Sequence, residues 1–143
     1  GLGDVYKRQG NANTRILSNS SYRVWSYDGS SWTLEYDGLL YAPARQPWRH
    51  TITPTSAYIG VFNHESLLRQ TAPATWVIDR TIPGYAVYEL ASVVDSETVF
   101  ANWYDFGNPE IIEKQTTPGG GWTAIDVPPH GGYASMWALS DTS

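Results

Sequence analysis

Five carboxylates of this chain, Glu35, Glu89, Asp105, Glu110 and Glu113, sit within or beside apolar, aromatic-rich segments. Two carboxylates facing across a cleft are enough for glycoside hydrolysis, one protonated as the acid and one ionised. Glu89 alternates onto the same side as Tyr85 and Val87, where burial would raise its pKa toward that of an acid catalyst. A chain with 14 acidic residues offers such pairs by chance, however. The motifs of other chemistries are missing: no Gly-x-Ser-x-Gly elbow, no His-Glu-x-x-His, no phosphate-cradling glycine loop and no calcium loop. His50, His64 and His130 fall in separate expected turns without ligand spacing, so neither a metal nor a cofactor is expected. The absence of cysteine removes disulfides, thiolate metal sites and a Cys nucleophile together.

Aromatic rings beside arginines suit binding better than catalysis. Alternation puts Arg23, Trp25 and Tyr27 on one face of segment 22–27, with Trp32 and Tyr36 supplied by the next segment. Flat rings stack on sugar faces, and adjacent polar groups bond the hydroxyls. The competing reading is that Trp25 and Trp32 simply fill the core. A second candidate is the proline-restrained stretch 43–50, where Arg45 and Arg49 offer forks for carboxylate, sulfate or phosphate. Trp48, in the same stretch, is assigned to the fold because a repeat described below gives it structural counterparts. The expected ligand-binding residues are therefore Arg23, Trp25, Tyr27, Trp32, Tyr36, Arg45 and Arg49.

The elements that must hold these residues are strands. No long window carries apolar residues at helical spacing, and Pro or Gly interrupts the chain at short intervals. β-branched and aromatic runs recur instead at 22–27, 32–36, 57–62, 76–79, 85–90, 99–106, 110–116, 122–127 and 133–139. Turn residues such as Asp28-Gly29, Asp37-Gly38, Pro83-Gly84 and Gly107-Asn108-Pro109 separate them. In segment 99–106 both faces are apolar, which marks a central, doubly covered strand.

An internal repeat runs through the second half. Residues 67–73 correspond to 112–118, Trp76 to Trp122, Asp79 to Asp126 and Gly84-Tyr85-Ala86 to Gly132-Tyr133-Ala134. A weaker copy runs from Trp48 through Pro54 to Tyr58. The period is close to that of propeller blades, but two and a half units cannot close a propeller. The expectation is therefore one all-β domain over 10–143, an antiparallel β-sandwich of Ig-like or jelly-roll type, with repeat units at about 57–92 and 99–140. The C-terminal stretch Trp122-Thr123-Ala124-Ile125-Asp126-Val127-Pro128-Pro129-His130-Gly131-Gly132-Tyr133 resembles the ending of bacterial immunoglobulin-like modules. That resemblance spans 99–140 and implies a sandwich with an extracellular accessory or adhesive role. Residues 1–9 resemble the in-frame translation of a sequencing adapter, and are expected to be foreign to the protein and to pack against little of it.

Composition narrows the partners. The net charge is −5, and it becomes one unit more negative when Asp4, Lys7 and Arg8 of the head are set aside. Such a balance argues against nucleic acid, whose affinity depends on basic residues neutralising phosphates. No stretch reaches the roughly 18 apolar residues of a membrane helix. Seven Trp and ten Tyr in 143 residues are more large rings than a small domain readily hides. These features together give the expectation of a non-catalytic recognition or adhesion module, secreted, on a cell surface or on a virion, with glycan as its ligand. A structural spacer or virion subunit contacting a protein surface is the alternative, and a small sandwich hydrolase stands third.

Overall fold

The computed structural model describes residues 16–62, 64–105 and 107–127. Expectations for residues 1–9, for segment 133–139 and for His130 lie outside that range. Eleven strands run in chain order through three antiparallel sheets. The first sheet holds β1 (Ile16–Asn19), β2 (Arg23–Tyr27) and β3 (Trp32–Asp37). The second holds β4 (Pro47–Ile52), β5 (Ala57–Val61), β6 (Ser66–Ala72) and β7 (Thr75–Thr81). The third holds β8 (Ala86–Ser92), β9 (Val99–Asp105), β10 (Asn108–Gln115) and β11 (Thr123–Ile125). The chain contains no α-helix among these residues, only one 3-10 turn at Gly38–Leu40.

The expected all-β fold of packed antiparallel sheets is the one observed. The tertiary structure adds a third layer and a simpler topology. Each sheet is a plain meander, so the Greek-key connections of Ig-like and jelly-roll sandwiches do not occur among the described residues. The second sheet lies between the other two. Ala57, Ile59, Val61 and Leu68 face Leu17, Val24 and Tyr36 of the first sheet. Tyr58 and Leu67 face Val87, Leu90, Val99, Ala101 and Trp103 of the third. This is why β5 is buried at every residue and reads as a continuous apolar run.

Leading strands adjoin across the sheet boundaries. His50 Nδ1 lies 2.9 Å from Asn19 Oδ1, joining β4 to β1. Thr51 Oγ1 donates to Ser92 Oγ at 2.9 Å, joining β4 to β8. Gly60 permits the close approach of β5 to β8, since a Cβ there would fall 2.6 Å from Val87 Cβ. The outer strands are tied by indoles. Trp76 Nε1 of β7 donates to Glu35 O of the first sheet at 2.7 Å, and Trp122 Nε1 donates to Asp79 Oδ2 of the second at 2.9 Å. The two tryptophans matched by the sequence repeat thus hold corresponding places, whereas Trp48 is on a leading strand.

β-bulges decide which side chains leave the regular alternation. In β3, Val24 and Trp25 of β2 face Tyr36 and Leu34, so Glu35 is the extra residue. In the same way Trp48 is extra in β4, Asp79 in β7 and Tyr88 in β8. A bulge re-aims the extra side chain and strengthens the local twist. All four residues go to polar or aromatic clusters that simple alternation would not have given them.

Candidate aromatic cleft

A cleft of about 540 Å³ opens at one end of the boundary between the second and third sheets. This volume lies within the range of small-ligand sites. Trp48 of β4 and Tyr88 of β8 form its back, with ring centroids 5.7 Å apart and planes at 88°. Phe62, just after β5, meets Trp48 edge-on at 4.9 Å and is 53% exposed. Tyr104 of β9 meets Tyr88 at 5.8 Å and 65°. The turn before β8 adds Gly84 and Tyr85, while the connection before β6 adds His64 and Glu65. Asp105, at the end of β9, completes the rim. A Cβ on Gly84 would come 3.7 Å from Asp105 Oδ2, so this turn and the end of β9 face each other directly.

Arg49 braces the wall from behind. Its Nε donates to Tyr88 O at 2.7 Å and its Nη1 to Trp48 O at 3.1 Å. Its guanidinium carbon lies 4.3 Å from the Trp48 ring centroid and 5.6 Å from that of Tyr88. The arginine expected to meet an anionic ligand is therefore committed to holding two rings. Arg45 sits elsewhere, 4.0 Å over the ring of Tyr41. The structure does not bring the two arginines together as one fork.

The remaining expected residues divide between two faces of the first sheet. Arg23, Trp25 and Tyr27 stand half-buried on its outer face, where Trp32 is 52% exposed and contacts Tyr27 at 5.0 Å. Arg23 is paired with Asp37 at 3.3 Å. Tyr36 corrects the expectation: it is 4% exposed, points into the core, and packs on Trp76 edge-to-face and on Tyr41 in a stack. The extra residue Glu35 moves Tyr36 to the inner side. Burial pushes the Tyr36 hydroxyl up to about 12, with Tyr41 adding to the effect and Arg45 opposing it. Trp103, on the central strand β9, is fully buried.

The carboxylates singled out for hydrolysis are mostly engaged. Glu35 accepts from Ser26 Oγ at 2.8 Å, Gln70 Nε2 at 2.5 Å and Ala74 N at 3.2 Å. Glu113 takes a bidentate pair from Arg80 at 2.9 and 2.7 Å, linking the second and third sheets. Glu110 accepts from Asn102 Nδ2 at 3.2 Å. Glu89 follows the bulge at Tyr88 and accepts from Leu90 N, so it does not continue the buried face of Val87. Asp105 reaches the cleft while also bonding Gly107 N and Asn108 Nδ2 of its own turn.

The histidines depart from the picture of solvated turn residues. His50 lies within β4, and burial together with Arg49 lowers its pKa. His64 is at the cleft, where burial and then Arg45 lower its pKa against a smaller opposing effect of Glu65. Among the described residues no three His, Cys, Asp or Glu side chains converge as a metal site. Nor is any helix there long and apolar enough to cross a membrane.

Sequence reasoning missed the cleft because its five rings come from four separate stretches of the chain. Trp48 and Tyr88, both bulge residues, are the centre of it. No protein-family model, no curated protein and no solved structure matches the chain.

Proposed function

We propose that this domain is a non-catalytic carbohydrate-recognition module whose ligand occupies the Trp48–Tyr88 cleft. The observation that carries the reading is the cleft itself: an open volume of about 540 Å³ walled by five aromatic side chains. Rings offer apolar surface to the CH-rich faces of a sugar, and Glu65 and Asp105 offer acceptors for its hydroxyls. A glycan array followed by calorimetric titration tests the proposal. Phe62→Ala, at an exposed position, weakens binding at least about tenfold with an unchanged melting temperature, whereas Trp32→Ala leaves binding intact. Absence of binding to neutral, acidic and amino sugars alike removes the reading.

A second reading is favoured by the outer face of the first sheet, where Trp32 stands 52% exposed beside Tyr27 and Trp25. Such a face suits a protein contact, as in a structural subunit. Sedimentation over a hundredfold concentration range distinguishes it. Self-association that Trp32→Ser abolishes supports this reading, and a concentration-independent monomer removes self-association as its form.

A further inference from the structure

We infer that the cleft selects a saccharide bearing a free ammonium group, an amino sugar of the glucosamine type, over its neutral N-acetylated counterpart. The inference rests on the carbohydrate reading above and adds the charge of the ligand to it.

Ring geometry is the first reason. A flat stacking platform needs coplanar exposed rings, but here each successive pair is steeply inclined. Phe62 meets Trp48 at 69°, Trp48 meets Tyr88 at 88°, and Tyr88 meets Tyr104 at 65°. Inclined rings form a box. Boxes of aromatic rings are how proteins hold organic cations, through the negative faces of the rings.

Charge is the second, independent reason. Among the described residues lining the cleft the acidic side chains are Glu65 and Asp105, and none is Lys or Arg. Neither nearby arginine is a lining residue: Arg49 lies behind the Trp48 and Tyr88 rings, and Arg45 lies over Tyr41, though its charge still reaches His64. His64 does not offset the carboxylates, because burial holds it toward the neutral form. Anionic sugars would meet these two carboxylates with no basic side chain among the described lining residues, so sialic and uronic acids are expected to bind more weakly. A lone ammonium in a box of rings with carboxylates at its rim matches both the ring faces and the acidic lining.

Calorimetric titration at about pH 6 compares a β-1,4-linked glucosamine tetramer with its fully N-acetylated counterpart, and trimethyllysine peptide is the third ligand. The free-amine tetramer is expected to bind about tenfold more tightly than the acetylated one. Its affinity should fall on raising the salt from about 20 to 500 mM, while the acetylated tetramer responds little. Glu65→Gln removes most of that preference, and Phe62→Ala weakens both ligands. Both variants lie at exposed positions, and unchanged melting temperatures verify their folding. Equal affinity for the two tetramers overturns the inference and leaves the carbohydrate reading standing. Binding of neither tetramer overturns both. Binding of the trimethyllysine peptide alone moves the site from saccharide to peptide and overturns the inference as stated.

Discussion

Trp48 and Tyr88 meet edge to face, with centroids 5.7 Å apart, and each is the extra residue of a β-bulge on its own strand. Two bulges on adjoining strands of different sheets thereby turn two rings toward one opening. Without them, regular alternation would set the faces of β4 and β8 differently over their length. The cleft is thus a product of register, held by Arg49 from the other side.

That bracing is separable from any ligand contact. Arg49→Met keeps most of the apolar stem while removing the donor to Tyr88 O and the cation over both rings. We expect a loss of about 1–2 kcal/mol in urea unfolding, together with a shift in tryptophan emission. Arg45→Met, whose cation lies over Tyr41, should cost about 0.5–1 kcal/mol. Equal and negligible losses at both positions would show that Arg49 does not hold the wall.

Asp79 gathers three side-chain donors. It accepts from Arg69 Nε at 2.8 Å through one oxygen, and from Gln115 Nε2 and Trp122 Nε1 at 2.8 and 2.9 Å through the other. Gln115 in turn accepts from the Tyr58 hydroxyl at 2.6 Å, and burial pushes that hydroxyl far above its ordinary pKa. Asp79→Ala strands all three donors. An equilibrium urea melt should show a loss of about 3 kcal/mol. The half-exposed pair Arg23–Asp37 is the contrast: Arg23→Ala should cost under about 1 kcal/mol.

Gly60 lies at a close contact between the second and third sheets. A methyl group there would fall 2.6 and 2.7 Å from Cβ and Cγ1 of Val87. Gly60→Ala is expected to destabilise by about 1–3 kcal/mol through overpacking. Combining it with Val87→Gly should cost less than the sum of the two single changes, because that change removes both the Cβ and the Cγ1 that the new methyl would meet. Strict additivity in the double-mutant cycle would mean that the two positions are not in contact.

His50 gives stability a dependence on pH. Burial, aided by Arg49, lowers its folded pKa below the 6.5 of a free imidazole, while the unfolded chain titrates near that ordinary value. The unfolded state therefore binds more protons as pH falls through about 6.5, and stability drops with it. Above that pH the contribution is fully present. His64 shifts in the same direction and adds to the trend. His50→Gln, which retains a donor for Asn19 Oδ1, should flatten the decline in urea midpoint between pH 7 and pH 5. An unchanged slope would remove His50 from the explanation.

Much of the architecture was legible in the chain. Short aromatic and β-branched runs between Pro, Gly and Asp turns specify strands and meanders locally, since period-2 patterning and turn chemistry need no distant partner. The doubly apolar segment 99–106 became the central strand β9, with Trp103 fully buried. The likeness of 67–76 to 112–122 shows in the fold as two outer hairpins, each sending an indole to the preceding sheet. Composition fixed the charge and removed thiol chemistry outright.

Tertiary structure alone decided the rest. Tyr36 looked like the partner of Trp32 on a wet face, but the extra residue Glu35 lies between them in the pairing and sends Tyr36 into the core. Arg49 looked like an anion fork, yet its Nε and Nη1 donate to the backbone at Tyr88 and Trp48 and its guanidinium lies against their rings. The cleft gathers rings from Trp48, Phe62, the Tyr85–Tyr88 stretch and Tyr104, which are far apart in the chain. Alternation predicts a face only while register is unbroken, and a single inserted residue reverses every face beyond it. Where the bulges fall depends on how three sheets fit against one another, which is a property of the packed molecule.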